Sequence, residues 1–142
     1  MGADIPRIET GHAILLLCGK YVMQLRDDKP DIAASGQWSF FGGEIELGET
    51  PLEATKRELF EELSIYPPEL KFLWKVDYYS GFLKDITRTW FFTSSVDNVW
   101  SHHKLKEGQG IGIFSYKQIK DLKMPSVMRQ TIDRFQKEII SK

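Results

Sequence analysis

Cysteine is nearly absent: Cys18 is the only one in 142 residues, which excludes an intramolecular disulfide and fits a reducing compartment. Its expected role is to fill the core. Long apolar runs are missing as well. Ala13 to Cys18, the longest near the start, falls far short of the roughly 20 residues a membrane span needs, and no basic segment precedes it as a secretory signal would require. Neither sign of charge dominates, since 19 basic and 20 acidic side chains leave a formal net charge of −1. That balance lacks the basic footprint with which proteins hold nucleic acid polymers. Internal repeats, low-complexity tracts and charge blocks are also lacking, and only the first few residues are expected to fray. A soluble, cytoplasmic protein is therefore expected. A small anionic ligand would need local help, for which a metal ion is the obvious source. With 42% hydrophobic side chains the chain can bury one core and is too short for two ordinary domains, so residues 1–142 read as a single domain.

Periodicity orders the elements. His12 to Cys18 and Tyr21 to Arg26 read as a strand pair with a tight connection at Gly19-Lys20, and the continuous apolar character of the first implies burial on both faces. An irregular loop from Asp27 to Gln37 leads into Trp38-Ser39-Phe40-Phe41, an aromatic segment that Gly42-Gly43 ends. Thr50, Pro51 and Glu53 form a capping box with proline at the first helical position. The helix they open puts Leu52, Leu59 and Leu63 on one side with Phe60 beside them, and it cannot continue beyond about Ile65 because Pro67-Pro68 follows. Lys71 to Ser80 and Ile86 to Ser95 flank Gly81 to Asp85 as a long hairpin, Gly112 to Tyr116 adds a short strand, and apolar spacing from Val127 through Met128, Ile132, Phe135 and Ile139 predicts a second helix over Ser126 to Ile140. Strands around two helices give an α/β class with a mixed sheet and a helix packed on each side.

Glu58, Glu61 and Glu62 share one turn in the C-terminal half of the first helix, where both mutual repulsion and the helix dipole disfavour negative charge. A solvated acidic face is the ordinary reading of such a cluster. A hard divalent cation reverses the sign of the problem, because clustered carboxylate oxygens are ligands that Mg²⁺ or Mn²⁺ prefers. The surroundings favour the second reading. From Gly43 the chain runs through five residues to Glu49, then seven residues to Arg57-Glu58-Leu59-Phe60-Glu61-Glu62-Leu63-Ser64-Ile65. This closely resembles the Nudix box of the Nudix hydrolases, G-x(5)-E-x(7)-R-E-U-x-E-E-x-G-U with U aliphatic, and every fixed charged position matches. It departs at Ser64, where the family has a glycine that suits a left-handed backbone, and before the box, where Phe41-Gly42-Gly43 stands in place of Pro-Gly-Gly.

The resemblance, to the MutT-like branch in particular, implies an α/β/α sandwich and an Mg²⁺-dependent hydrolase, with Mn²⁺ as a substitute. Such an enzyme cleaves the diphosphate of a nucleoside diphosphate linked to another group. It implies Glu58, Glu61, Glu62 and the Gly43 carbonyl as metal ligands, and Glu49 paired with Arg57 to hold the loop against the helix. Glu53 caps, and could also reach Arg57. Water attacks phosphorus with a carboxylate as base. Glu58 and Glu107 compete for that role, Glu107 standing in the flexible Glu107-Gly108-Gln109-Gly110 segment. His102 and His103 lack a third ligand at suitable spacing and are assigned to a solvated loop or at most a phosphate contact. The partner is a small nucleotide, with no nucleic acid polymer and no membrane; a homodimer stays open. The substrate expectation leans to a nucleoside triphosphate or oxidised nucleotide, with a nucleotide sugar or a non-catalytic sensor as alternatives. Only the loop from Asp27 to Gln37 and the hairpin around Gly81 offer a second recognition surface.

Overall fold

The run expected to be buried on both faces is the central strand β1 (Ile8–Leu17) in the computed structural model, which describes residues 6, 8–32 and 34–141. Most of the first few residues, expected to fray, lie outside the described residues. Alternate side chains leave a strand in opposite directions. Ala13 and Leu15 accordingly join Leu59 and Leu63 in one apolar cluster, and Ile14 joins Phe91, Met128 and Ile132 in another.

β2 (Lys20–Leu25) returns antiparallel, with Leu17 opposite Lys20. The turn is therefore Cys18-Gly19, one residue earlier than the sequence suggested. Both have positive φ, 49° and 79°, as a two-residue hairpin turn requires. That geometry puts Cys18 on the surface and corrects its expected place in the core.

β5 (Lys71–Ser80) and β6 (Asp85–Ser95) form the expected hairpin, and β6 lies parallel to β1. On the other side, β1 and β2 pair only near their turn, and residues 38–44 enter between their diverging ends. β3 (Trp38–Ser39) pairs with β2 and β4 (Phe41–Glu44) with β1. Gly42 and Gly43 thus lie inside a strand instead of ending one. β7 (Gly110–Phe114) adds to β2. Tyr116 does not end that strand: Ser115 and Gln118 make a capping box that starts the short helix α2 (Tyr116–Ile119), which spacing alone did not predict.

α1 (Pro51–Leu63) begins as its capping box requires, Thr50 Oγ accepting from the Glu53 N–H while the Glu53 carboxylate accepts from the Thr50 N–H. Its buried face is Ala54, Thr55, Leu59, Glu62 and Leu63. Leu52 is only partly buried, and Phe60 is exposed and stacks on Tyr66 at 4.6 Å. The helix lies close on β1 because Gly11 lacks a side chain: a Cβ there would fall 2.1 Å from Thr55 Oγ. It ends at Ser64 with φ 59° and ψ 28°, the left-handed conformation that glycine adopts at lower cost.

α3 (Ser126–Phe135) covers the other face through Met128, Ile132 and Phe135. A π-helical turn over Gln136–Ile140 follows. Its wider winding breaks the 3.6-residue register and leaves Ile139 46% exposed, outside the apolar stripe. The mixed sheet with helices on both faces is the expected α/β/α sandwich.

Candidate active site

α1 turns its carboxylates toward β4, and the two glycines of that strand make the approach possible. Glu62 is 3% exposed, and its Oε1 accepts the Gly42 N–H at 2.9 Å. A Cβ on Gly43 would lie 2.3 Å from Glu58 Oε2, and one on Gly42 would lie 2.1 Å from the Gly11 carbonyl and 2.7 Å from His12 Cα. β4 is thus wedged between the acidic helix and β1: only glycine fits at position 42, where the clash is with backbone, while a side chain at position 43 would have to displace the Glu58 carboxylate.

Arg57 ties the loop before the helix to the helix itself. Its Nε and Nη2 donate to the two Glu49 oxygens at 2.7 and 3.0 Å, Nη2 also reaches the Glu44 carbonyl at 3.1 Å, and Nη1 donates to Glu61 at 2.9 Å. Such a forked geometry is available to arginine and not to lysine. Glu53 makes no part of this network; its carboxylate is taken by the cap.

Burial and neighbouring charge act together on the other carboxyls. Burial first, then Glu61, pushes Glu58 up to about 7. Burial first, then Glu58, pushes Glu62 up to about 9, against the opposing Gly42 N–H. Glu107 adds to both shifts, so it shares their surroundings. Its segment is anchored: the N–H groups of Lys104 and Lys106 donate to the Leu63 and Glu62 carbonyls, each at 2.9 Å. Those carbonyls end α1 and have no partner within the helix. Gln24 Nε2 donates to the Glu107 carbonyl at 3.2 Å. The segment expected to be flexible is therefore pinned next to the acidic turn.

Among the described residues, no three His, Cys, Asp or Glu side chains converge as a ready-made metal cage. Glu61 is turned to Arg57, away from such a cage. The donor chemistry nonetheless fits a hard divalent cation: oxygen ligands only, two of them desolvated and repelling each other, which is the arrangement a cation relieves. Rotation of the exposed Glu61 would complete it.

The acidic turn lines a cleft of about 700 Å³, together with Arg26, Glu107 and the backbone from Gly42 to Leu47. A second cavity, of about 560 Å³, lies on the α3 face and shares Arg26 and Gly42 to Glu44 with the first. Thr10, His12 and Thr87 line it from the sheet, Tyr78 and Phe82 from the hairpin, and Ile32 from the loop after β2. A third, of about 470 Å³, has Arg26, Lys29 and Lys106 beside Glu62 and Glu107. His102 and His103 line none of the three; His103 stacks on Trp100 at 3.8 Å.

A family model described as the NUDIX domain matches residues 2–135. The chain belongs to the NUDIX family. Solved structures with the same fold include the MutT protein from Methanosarcina mazei Go1, at 20% identity and TM-score 0.80 over 96% of this chain and 98% of that one. The NUDIX domain of Shewanella oneidensis NrtR, complexed with ADP ribose, matches at 17% identity and TM-score 0.77 over 96% and 90%. A bifunctional NMN adenylyltransferase/ADP ribose pyrophosphatase from Francisella tularensis, complexed with AMP and a Mn ion, matches at 22% identity and TM-score 0.72 over 96% of this chain and 43% of that one.

This Nudix chain is a pyrophosphohydrolase, and its family generally uses divalent metals. No helix among the described residues is long and apolar enough to cross a membrane. Several residues that line these cavities were not singled out in the sequence. Arg26, His12, Thr87 and Phe82 belong to no motif, and only the alternation along β1 could have put His12 on the face of Ile14.

Proposed function

We propose that this Nudix enzyme, acting as a single domain, cleaves the diphosphate linkage of a nucleoside triphosphate or oxidised nucleotide with the help of Mg²⁺, for which Mn²⁺ can substitute. The observation that carries this reading is that the acidic cleft and the α3-face cavity lie side by side, with Arg26 and Gly42 to Glu44 lining both. The nucleoside takes the cavity, with Tyr78 and Phe82 available for stacking, and the phosphates cross the glycine strand into the acidic cleft. Arg26, Lys29 and Lys106 around the third cavity suit a phosphorylated leaving group, which either a triphosphate or a nucleotide sugar would release.

Glu58, Glu61, Glu62 and the Gly43 carbonyl would hold the cation. When bound, it neutralises the non-bridging oxygens and makes a coordinated water more acidic. Glu49 and Arg57 keep the loop from Glu44 to Glu49 against α1. A carboxylate must still take the proton of the attacking water, which goes to phosphorus while the bridging oxygen leaves with the second phosphorylated product. We assign that role to Glu107, since its pinned backbone sets the side chain at the border of two clefts. Glu58 is the alternative.

Two of the similar structures are described by ADP ribose, which keeps a nucleotide sugar as the second reading. The discriminating measurement is kcat/KM over a panel of canonical and oxidised triphosphates, sugar nucleotides and dinucleoside polyphosphates, each with Mg²⁺ and with Mn²⁺. The highest value is expected for a triphosphate. A nucleotide sugar well above every triphosphate would overturn the assignment.

A further inference from the structure

Between the acidic cleft and the nucleoside cavity stands a side chain that the proposed reaction does not use. His12 lies opposite Gly42 on one side of β1 and opposite Phe91 on the other, with its ring centroid 6.5 Å from that of Phe91. The fit against β4 is close, since a Cβ on Gly42 would come within 2.8 Å of His12 Cδ2. The N–H of the same Gly42 donates to Glu62 at 2.9 Å. A single residue of strand therefore separates the imidazole from the buried carboxylate.

The ring lines the cavity, yet its Nδ1 is buried without a hydrogen-bond partner. Buried polar atoms are rarely left unpaired without a reason, and an absent ligand is one such reason. Burial first, and then the nearby positive charge of Arg26, pushes the ring down to about 3, so it is neutral at any working pH. A neutral imidazole presents one donor and one acceptor. That pair does not suit a phosphate, which calls for donors and positive charge. Either nitrogen alone suits a hydroxyl, which can give a hydrogen bond to the bare nitrogen or take one from the N–H, whereas a phosphate oxygen can only accept.

Position along the substrate narrows the choice. With the phosphates in the acidic cleft, the next part of a nucleotide is its sugar, and the base comes after. His12 stands at the phosphate end, opposite Gly42. The other unpaired buried atom in the cavity wall, Thr87 Oγ, stands opposite Ile8 and Tyr78, four residues further along β1, or roughly 13 Å at the usual rise of a strand. We propose that His12 is a specificity-determining residue whose ring binds a sugar hydroxyl of the nucleotide, so that the enzyme selects against the deoxy form that lacks it. The inference rests on the nucleotide reading of the clefts given above.

The test compares adenosine, guanosine, cytidine and uridine 5′-triphosphates with their 2′-deoxy and 3′-deoxy counterparts, in wild type, His12→Phe and His12→Asn. The ring ¹⁵N resonances of His12 are followed separately as the matching 5′-monophosphates bind to the wild type. Wild type should favour the hydroxylated form over one deoxy form by roughly five- to tenfold in kcat/KM, the scale of one neutral hydrogen bond. The ratio should fall to about one in His12→Phe and survive in part in His12→Asn, which keeps a donor and an acceptor. Thermal unfolding establishes that each variant is folded, and the asparagine variant decides the matter if phenylalanine does not fit. No discrimination in wild type, or a ratio unchanged in a folded variant, would overturn the role of His12 while turnover leaves the nucleotide reading intact. If no triphosphate is cleaved but the His12 resonances move more for ribo- than for deoxyribonucleotides, the triphosphate reading fails and His12 stands. Without turnover or shifts, both fail.

Discussion

On the α1 face, nearly the whole site comes from one stretch of chain. Gly43, Glu49, Arg57, Glu58, Glu61 and Glu62 lie within the box, and Arg57 joins its loop to its helix through Glu49 and Glu61. On the α3 face, the cavity wall is collected from β1, β5, β6, the loop after β2 and the start of α3. The first face spends charge: two of its carboxyls are raised by burial and mutual repulsion. The second is lined mostly by neutral polar, aromatic and aliphatic side chains, with Arg26, Asp31 and Glu44 as its charges, over a sheet that turns apolar from Ile14 onward. The division teaches that the reacting centre can be encoded locally, because its members must be held by short, stiff connections. The pocket we propose to choose the substrate is a property of the folded surface.

If the α1 face carries the chemistry, Glu62→Gln should lower kcat on the order of 10³-fold, because metal-borne charge stabilisation is worth several kcal/mol. The same change should raise the melting temperature of the metal-free protein, since it removes a buried carboxylate that burial keeps protonated. Wild-type turnover in this variant would move the centre elsewhere. Glu107→Gln tests whether the base comes from outside the box: a loss of about 10²-fold with metal affinity nearly unchanged is expected. A rate within about a factor of two of wild type would return the role to Glu58.

The α3 face should answer in KM instead. Removing the Phe82 ring by Phe82→Ala is expected to raise KM up to about tenfold, the scale of one aromatic contact, with kcat retained. Steady-state kinetics showing the loss in kcat alone would mean that this cavity does not hold the nucleoside.

The two faces should also differ in their response to pH. Glu58 and Glu62 have folded-state values raised to about 7 and about 9. Their contribution to the stability of metal-free protein is thus complete below the ordinary carboxylate value and is lost as pH rises through those two values. Melting curves in chelator from pH 5 to 9 should show this decline, and added Mg²⁺, which requires the deprotonated forms, should stabilise more as pH rises. A chelated protein equally stable at pH 5 and 9 would contradict the assigned burial.

The smallest effect belongs to the helix exit. Ser64 is left-handed at φ 59° with its hydroxyl buried and unpaired, so Ser64→Gly should stabilise by about 1 kcal/mol without changing kcat. Calorimetry showing a loss of stability would mean that the serine makes a contribution unrelated to its backbone.

How much was legible follows the same line. The capping box of Thr50 and Glu53, the end of α1 at a left-handed Ser64 and the facing of Ala13 and Ile14 to opposite clusters are consequences of residues close in sequence. The exposed Cys18, the strand through Gly42-Gly43, the capped start of α2 at Tyr116 and the π turn that bares Ile139 depend on turn geometry and pairing, and hydrophobic spacing misplaced all four. By itself the sequence determined the sandwich class and a charged helix with its glycine loop, because helix periodicity and a fixed motif act over a few turns of chain. Tertiary structure alone decided that Lys104 and Lys106 pin Glu107 beside Glu58 and Glu62, and that His12 lines a cavity together with Thr87 of β6 and the turn of the β5–β6 hairpin. Those neighbours lie far apart in sequence, and only the pairing of β1 with β4 and β6, with α1 and α3 packed on opposite faces, brings them within reach.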